Sequence, residues 1–333
     1  MTNARDTAAG ILRLGNAFCD AKALLTAVEL GLFDVLHAGP ATAGDLRDRL
    51  GLQGRGLSDF LQLLVELELL TEDGGRYGNA NGADRFLVRE LPSYVGGFLL
   101  RSNRNLYPAW GRLTEALRTG DPQAGGSFDD VIADPALLGQ FVRMMDALTQ
   151  IIGPELVDAV DWPSQGSVLD VGGCRGNLAA QVVKAHPELT GTVYDLPEME
   201  PFFDEHMAAT GLTGRLSFHG GNFFTDDSLP AADVVLMGHV LHDWDEVQRR
   251  DLVAKAFPAV NPGGALVVYD RMLDDRRNRV ENLVISLDML LVSTGGSEYT
   301  SAELREHAEA AGFGSITVQP LGDFDTLVVC RKD

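Results

Sequence analysis

The chain has 333 residues, 45% of them hydrophobic and 23% charged, a composition typical of a soluble globular protein with room for two domains. Its 48 acidic and 27 basic residues give a formal net charge of −21. Such a surface repels phosphate backbones and anionic membranes, so we expect neither nucleic acid nor a membrane as a partner.

The ends of the chain and its cysteines bear on its location. The first six residues are polar and no secretory apolar core follows them, and no apolar run is long enough to cross a bilayer. Cys19, Cys174 and Cys330 lie far apart, are odd in number and lack metal-ligand spacing. We therefore expect reduced thiols, no bound metal and a cytoplasmic location.

The first hundred residues have helical patterns. Apolar residues from Leu14 to Val28 recur at three- and four-residue steps and form one helix face. A short helix is predicted from a cap at Thr42 to a stop at Gly51. A second helix is predicted over 58–70, and a β-hairpin with a Gly-Gly tip over 71–78.

Two helices followed by a hairpin are the winged-helix arrangement. A version that reads DNA needs basic residues on its second helix, whereas this helix carries Asp59, Glu66 and Glu68. We therefore assign residues 1–98 to a small helical domain that packs in a dimer or covers an active site, and not to DNA binding.

Residues 95–162 are predicted to be mostly helical, and the rest of the chain alternates strands with helices. This alternation predicts a parallel sheet with helices on both faces. The last two strands are close in sequence and should form an antiparallel hairpin at one edge. We place residues 99–333 in this second domain, whose seven predicted strands end at Asp170, Asp195, Phe218, Met237, Tyr269, Val318 and Cys330.

The first of these strands runs into a glycine-rich turn, Gly172 to Gly176, that helical sequence follows. Glycines let the backbone approach a ligand, and an acid that ends the next strand, here Asp195, can bind the hydroxyls of a ribose. The dinucleotide fingerprint is not matched, because Cys174 stands at its second glycine position and Gly176 falls one place early. The turn therefore favours S-adenosylmethionine over NAD.

Further candidates follow the other strands, since ligands of open α/β sheets gather beyond the carboxyl ends of the strands. Asn222 follows the third strand, although it could simply stabilise its own turn. His242 follows the fourth and is the strongest catalytic candidate, because histidine accepts a proton near neutral pH. His239 makes a metal site with it conceivable, but the sequence offers no convincing further ligand.

Five segments together carry a resemblance. They are Asp170-Val171-Gly172-Gly173, Asp195-Leu196-Pro197, residues 221–224, Leu241-His242-Asp243-Trp244 and residues 295–300. In this order they resemble the small-molecule O-methyltransferases that include the caffeate, flavonoid and acetylserotonin methyltransferases. The resemblance covers essentially the whole chain. It implies an α/β fold with a seven-stranded Rossmann-like methyltransferase sheet, an N-terminal winged-helix dimerisation domain and a homodimer.

The resemblance also implies roles for single residues. Gly172 would face the methionine part of S-adenosylmethionine, Asp195 the ribose, and Asn222 and Phe223 the adenine, with Leu196, Gly238 and Trp244 in the same cofactor site. His242 matches the general base, and Asp270 and Glu298 match acids that flank it. Phe141, Met145, Met289 and Asp243 match positions of the acceptor pocket, and no metal is implied.

Three departures from the family pattern limit this transfer. Asn222 stands where many members have Asp, and Gly238 replaces a lysine common in plant members. Asp270 and the segment Ser297-Glu298-Tyr299 also differ from the residues that are commoner in the family. The change at Asn222 bears only on cofactor affinity, whereas the change around Asp270 and Glu298 makes it unsafe to carry over the identity of the acceptor from a relative. The apolar pocket candidates favour a flat aromatic phenol of secondary metabolism, such as antibiotic biosynthesis.

The expected chemistry is attack of the acceptor oxygen on the sulfonium methyl while His242 removes the hydroxyl proton, leaving S-adenosylhomocysteine. A phenol has a pKa near ~10 against about 6.5 for histidine, so an acid must stabilise the imidazolium. C- or N-methylation, and a relative repurposed for hydroxylation or decarboxylation, are the alternatives. A DNA-binding regulator and a nicotinamide dehydrogenase are disfavoured by the charge and by the glycine spacing.

Overall fold

The computed structural model describes residues 7–91, 93–125, 128–162, 166–273 and 279–333. The chain divides into two compact units, one ending at Tyr107 and the other beginning at Pro108. The boundary that we expect after residue 98 stays a prediction. No helix of the described residues is both long enough and apolar enough to cross a membrane.

The first unit is helical with a small sheet. The strands pair antiparallel in the order β1-β3-β2. A helix with π-type hydrogen bonding, Ser102–Leu106, follows the last helix of the unit. The elements are α1 (Ala8–Gly15), α2 (Ala17–Leu30), α3 (Leu32–His37), β1 (Ala41–Thr42), α4 (Ala43–Leu50), α5 (Leu57–Glu66), β2 (Leu70–Asp73), β3 (Arg76–Asn79), α6 (Asn81–Phe86) and α7 (Gly96–Arg101).

The predicted ends of these elements are mostly confirmed. Thr42 caps α4 in a capping box with Asp45, and Gly51 ends the helix with a φ of 65°. The hairpin is present between β2 and β3. The second predicted helix was wrong at its end: α5 stops at Glu66, because Glu68 adopts a left-handed φ of 58° that a helix cannot continue through.

The second unit contains the large sheet and its helices, and α8 (Tyr107–Trp110) contains the boundary between the units. Its helices are α9 (Leu113–Thr119), α10 (Phe128–Ala133), α11 (Pro135–Ala159), α12 (Asn177–Ala185), α13 (Glu200–Thr210), α14 (Glu246–Ala259), α15 (Val280–Val292) and α16 (Ser301–Ala311). Its strands are β4 (Ser167–Val171), β5 (Thr190–Asp195), β6 (Leu216–Gly220), β7 (Ala232–Gly238), β8 (Val260–Asp270), β9 (Ser315–Leu321) and β10 (Asp325–Arg331).

The sheet has the strand order β6-β5-β4-β7-β8-β10-β9. Strands β4 to β8 run parallel, and β10 is antiparallel to both β8 and β9, which confirms the predicted edge hairpin. The chain runs outward from β4 to β6 and returns to β7 on the other side of β4. Such a reversal opens a crevice beyond the carboxyl ends of the central strands, where ligands bind.

The central strands are buried on both faces. Leu169 and Val235 belong to the apolar cluster on one side of the sheet, while Val168 and Val234 belong to the cluster on the other. Successive residues of a strand point to opposite faces, so a strand covered on both sides is apolar throughout. This packing holds the carboxyl ends of β4, β7 and β8 at one edge of the sheet.

Candidate active site

The turn after β4 has the backbone that its glycines predict. Gly172 and Gly176 have left-handed φ angles of 71° and 77°. A Cβ on Gly172 would lie 2.8 Å from the Val240 side chain, and one on Gly173 would lie 2.6 Å from the carboxyl group of Asp170. Only glycine therefore allows this close approach. The turn lines a cavity together with Asp170, Met145, Gly238 and Tyr269.

Two acids flank this turn, Asp170, which is buried, and Asp195, which is half-buried. Asp170, the turn Gly172–Gly176 and Asp195 form what we name the cofactor corner. Asp195 accepts hydrogen bonds from the backbone N–H of Cys174 and of Leu196, both at 2.7 Å. Each carboxylate oxygen accepts two hydrogen bonds, so both retain acceptor capacity for a ribose. Burial raises the pKa of Asp195 to about 6.

Sequence analysis missed Asp170 as a functional residue. Its Oδ2 atom is buried, and no described residue donates a hydrogen bond to it. Burial and the nearby charge of Asp195 raise the pKa of Asp170 to about 7. A buried acceptor without a partner, beside a glycine turn, suits a ligand with a positive charge or hydrogen-bond donors.

The loop after β6 holds the residues predicted to meet adenine. The side-chain oxygen of Asn222 accepts from the backbone N–H of Phe224 at 2.9 Å, so the residue does stabilise its own turn. The Phe223 ring meets the Trp244 ring edge-on, with centroids 5.8 Å apart. The indole nitrogen of Trp244 is buried and has no partner among the described residues.

Asp226 and Lys255 hold this loop in place, and sequence analysis missed both. The Tyr194 hydroxyl donates to Asp226 at 2.7 Å, and the backbone N–H of Asn222 donates to the same oxygen at 3.3 Å. The Lys255 ammonium group donates to the carbonyl of Phe223 at 2.5 Å. Nothing local in the sequence signals these roles, because they depend on which strands and helices meet.

His242, Asp270 and Glu298 come together as predicted, and we name them the catalytic cluster. His242 lies on the short 3-10 helix Leu241–Asp243, Asp270 ends β8, and Glu298 precedes α16. Nδ1 of His242 lies 2.7 Å from Oε1 of Glu298 and 3.8 Å from Oδ1 of Asp270. The Tyr299 hydroxyl donates to the other oxygen of Asp270 at 2.6 Å. All three side chains of the cluster are buried.

The acids dominate the electrostatics of the base. Burial alone lowers the pKa of His242, but Asp270 and Glu298 raise it to about 10. Burial also raises the pKa of Asp270, to about 7. A carboxylate only accepts hydrogen bonds, so Nδ1 carries the proton that points toward Glu298. Nε2 is then the nitrogen that is left to take a proton from a substrate.

Arg249 connects the segment that carries the base to the segment that carries the acid. Its guanidinium is buried and donates to the carbonyl of Trp244 at 2.5 Å, and it lies over the Tyr299 ring at 5.0 Å. The backbone N–H of Ser297 donates to the carbonyl of His242 at 2.9 Å. Sequence analysis missed Arg249, because an arginine on a helix has no local signal for this contact.

The predicted acceptor residues do not all lie in one cluster. Phe141 and Met145 of α11 pack with Cys174 and Met199, and Met145 also lines the cavity at the cofactor corner. Met289 lies outside that cluster, half-buried on α15. Asp243 is half-exposed, with Oδ1 at 3.8 Å from Nε2 of His242.

His239 pairs with Asp325, the first residue of β10. Its Nε2 lies 2.7 Å from Oδ1 of Asp325, and its ring stacks on that of His242 with centroids 5.6 Å apart. Arg271 also contacts Asp325, at 3.3 Å. Within the described ranges, no group of three His, Cys, Asp or Glu residues is arranged to hold a metal ion.

These features fit S-adenosylmethionine. The glycine cradle excludes side chains, Asp170 offers an unpartnered acceptor, Asp195 retains lone pairs, and Trp244 offers an unpartnered donor. A seven-stranded sheet with this corner and a buried His-acid cluster at the same edge defines the class of S-adenosylmethionine-dependent methyltransferases.

Comparisons with known proteins agree. The O-methyltransferase domain model matches residues 110–314, and the O-methyltransferase dimerisation domain model matches residues 12–89. The chain therefore belongs to the S-adenosylmethionine-dependent O-methyltransferase family.

Individual relatives match over nearly the whole chain. The tetracenomycin polyketide synthesis 8-O-methyl transferase TcmO of Streptomyces glaucescens is 47% identical over 326 residues, covering 97% of this chain and 96% of that protein. The N,N-dimethyltransferase OxyT of Streptomyces rimosus is 43% identical over 333 residues, covering 98% and 96%. The crystal structure of human N-acetylserotonin methyltransferase with S-adenosylmethionine gives a TM-score of 0.90 at 28% identity, covering 100% and 99%.

Proposed function

We propose that this O-methyltransferase methylates a phenolic hydroxyl of an aromatic secondary metabolite, of the polyketide antibiotic type, with His242 as the general base. The geometry of His242 carries the proposal: Glu298 holds Nδ1 at 2.7 Å, which leaves Nε2 for the acceptor proton. The name of the 47% identical relative, a polyketide 8-O-methyl transferase, supports the acceptor class. Phe141, Met145, Met289 and Asp243 are the proposed acceptor contacts.

We assign the cofactor contacts to the residues of the cofactor corner and the adenine loop. Gly172, Asp170 and Gly238 would hold the methionine end, Asp195 and Leu196 the ribose, and Asn222, Phe223 and Trp244 the adenine. S-adenosylmethionine supplies an electrophilic methyl group when bound. Much of the rate acceleration comes from holding the two reactants in contact, an effect worth on the order of 7–11 kcal/mol in favourable cases.

His242 moves the proton. Its pKa of about 10 is close to the value of about 10 for a phenol, so transfer from the hydroxyl to Nε2 is nearly thermoneutral. Asp270 and Glu298 thus make the proton transfer itself less uphill, but they raise the cost of first deprotonating the imidazolium. The neutral imidazole that accepts the proton is a minor form at pH 7, and its fraction grows as the pH rises toward the pKa.

Replacing His242 by Ala tests the base. We expect turnover of hydroxylated anthraquinones, used as probe acceptors, to fall by roughly 10²- to 10⁴-fold. The dissociation constant for S-adenosylhomocysteine, measured by calorimetry, should stay near the wild-type value because His242 is not assigned to the cofactor. Wild-type turnover in the variant would refute the assignment.

N-methylation is the second candidate, because the 43% identical relative is named an N,N-dimethyltransferase. A base whose pKa is raised by two acids would also take a proton from an ammonium group. Matched hydroxy- and amino-anthraquinones separate the two reactions. Methylation of the hydroxyl compound alone supports the proposal, and methylation of the amine alone overturns it.

We also propose a homodimer and a cytoplasmic location. The dimerisation domain match supports the dimer, as do the exposed apolar side chains Ile11, Leu12, Leu14 and Phe18 on α1 and α2. Light scattering should give twice the chain mass for wild type and a monomer for Phe18→Glu. The three cysteines are free thiols, which fits a reducing compartment.

A further inference from the structure

Tyr269 and Gly238 form an interlocked pair across two strands. They are register partners on β8 and β7. A Cβ on Gly238 would lie 2.2 Å from the Tyr269 ring and 2.4 Å from its hydroxyl oxygen. The ring therefore lies over the backbone of the glycine, in space that any other residue at 238 would occupy, and the absence of a side chain there is what admits the tyrosine.

The ring reaches toward the cofactor corner. Strand β7 lies between β8 and β4, so a side chain of β8 that crosses Gly238 points at the carboxyl end of β4. Tyr269 accordingly lines the same cavity as Asp170, Gly172 and Gly173. Tyr269 is only 1% exposed. A buried phenol at this place needs a hydrogen-bond partner.

The chemistry of the hydroxyl is that of a neutral donor. Burial, with Asp170, Asp325 and Asp270 nearby, raises the pKa of Tyr269 well above its ordinary value, so it keeps its proton. Asp170 offers the opposite function, a buried acceptor atom that no described residue satisfies. One donor and one acceptor in a single cavity match the carboxylate and the ammonium of an amino acid.

We propose that the Tyr269 hydroxyl binds the carboxylate of the methionyl group of the cofactor, taking the space that Gly238 leaves. This assignment rests on the cofactor site of the proposed function and adds a residue that the sequence did not indicate. Tyr269 can take this position only because residue 238 is glycine, so the two residues bind the cofactor as a unit.

The test compares two ligands that differ in the amino acid end. S-adenosylhomocysteine carries that end, and 5′-methylthioadenosine lacks it. For Tyr269→Phe we expect the dissociation constant of S-adenosylhomocysteine, by calorimetry, to rise about 10- to 100-fold, the range for a hydrogen bond to a charged group. Binding of 5′-methylthioadenosine should change by less than about twofold. Tyr77→Phe, in the first unit, is the matched control and should change neither.

Two outcomes overturn the proposal. In the first, Tyr269→Phe binds S-adenosylhomocysteine like wild type; in the second, it weakens both ligands equally, which would indicate a general packing role. Gly238→Ala provides a second measurement, because its Cβ must displace the ring, and it should lose S-adenosylhomocysteine affinity at least as strongly. If wild type itself bound neither ligand, the cofactor assignment would fail as well, which distinguishes the two failures.

Discussion

The catalytic cluster and the cofactor corner each hold two acids at the same edge of the sheet, but only the catalytic cluster pairs its acids with a histidine. In the catalytic cluster a histidine supplies the compensating charge, and its pKa rises to about 10 in return. In the cofactor corner burial and the charge of Asp195 raise the pKa of Asp170 to about 7, and burial raises that of Asp195 to about 6. The catalytic cluster therefore carries part of its compensating charge within the chain itself.

The difference indicates what each site is built to receive. A histidine held by two acids is a strong base in its neutral form, and that form takes the proton of an uncharged acceptor. Arg175 of the turn pairs with Asp146, so the two acids of the corner have no cation as a partner, which is unfavourable until a positively charged ligand arrives. S-adenosylmethionine carries an ammonium and a sulfonium, so its charge complements the cofactor corner. Three changes would break or sharpen this comparison.

Removing the charge of Glu298 should have the largest effect. Glu298→Gln keeps an oxygen for Nδ1 but removes a negative charge, so the pKa of His242 should fall by roughly 1–3 units. The base then becomes neutral at lower pH, and the rising limb of kcat/KM against pH should move down by the same amount. Asp243→Asn, whose carboxyl is half-exposed, should move that limb less. If the rising limb stayed in place in Glu298→Gln, Glu298 would not determine the pKa of His242.

Asp170→Asn should raise stability. The folded-state pKa of Asp170, about 7, lies above the ordinary value of 3.8, so its ionised form destabilises the fold increasingly from pH 4 to pH 7 and fully above that. We expect the free energy of unfolding of the ligand-free protein at pH 8 to rise by roughly 1–3 kcal/mol. Urea denaturation at pH 8 and pH 4 measures this, with no gain at the lower pH.

Asp233→Asn is the matched control for that measurement. Asp233 accepts from the Asn261 amide at 2.9 Å and from the Ser167 hydroxyl at 2.8 Å, and these bonds lower its pKa. Its charge therefore stabilises the fold above pH 4, and the substitution should lower stability at pH 8. If Asp170→Asn also lowered it, the cofactor corner would not hold an uncompensated acid.

The smallest expected effect is the pH dependence of cofactor binding. Protonation of Asp170 and Asp195 removes the charge that an ammonium needs, so S-adenosylhomocysteine should bind about 3- to 10-fold more weakly at pH 5.5 than at pH 7.5. Calorimetry of wild type and Asp170→Asn checks this. The variant should bind S-adenosylhomocysteine more weakly at pH 7.5 and lose most of the pH dependence. If the variant kept the pH dependence of wild type, groups other than Asp170 would cause it.

Local patterns predicted the fold well where local physics decides it. The seven strands, the edge hairpin and the cap at Thr42 follow from apolar runs, chain proximity and side-chain hydrogen bonding over a few residues. The end of the second helix was missed, because a run of leucines continues past Glu66 although the backbone turns at Glu68. An apolar run alone does not separate a helix from the strand after it.

The residues that the sequence did not indicate share one property. Arg249 and Tyr269 contact neighbours that are distant in the chain and belong to no motif, and Asp170, although part of the Asp170–Gly173 segment, has no local sign that its Oδ2 atom lacks a partner. His242 was found from its place after a strand, whereas Glu298 was found because a resemblance supplied its pairing with that histidine. Their meeting at 2.7 Å is a property of the folded sheet and its loops.

By itself, the sequence determined the order of the elements, the glycine turn and the acids that end the strands, because these depend on backbone freedom and hydrophobic period. Only the tertiary structure decided which charges are compensated. It brought Glu298 to His242, left Oδ2 of Asp170 without a partner among the described residues and laid Tyr269 over Gly238. Burial removes the water that would otherwise screen each charge, so the position of every side chain in the fold sets its chemistry.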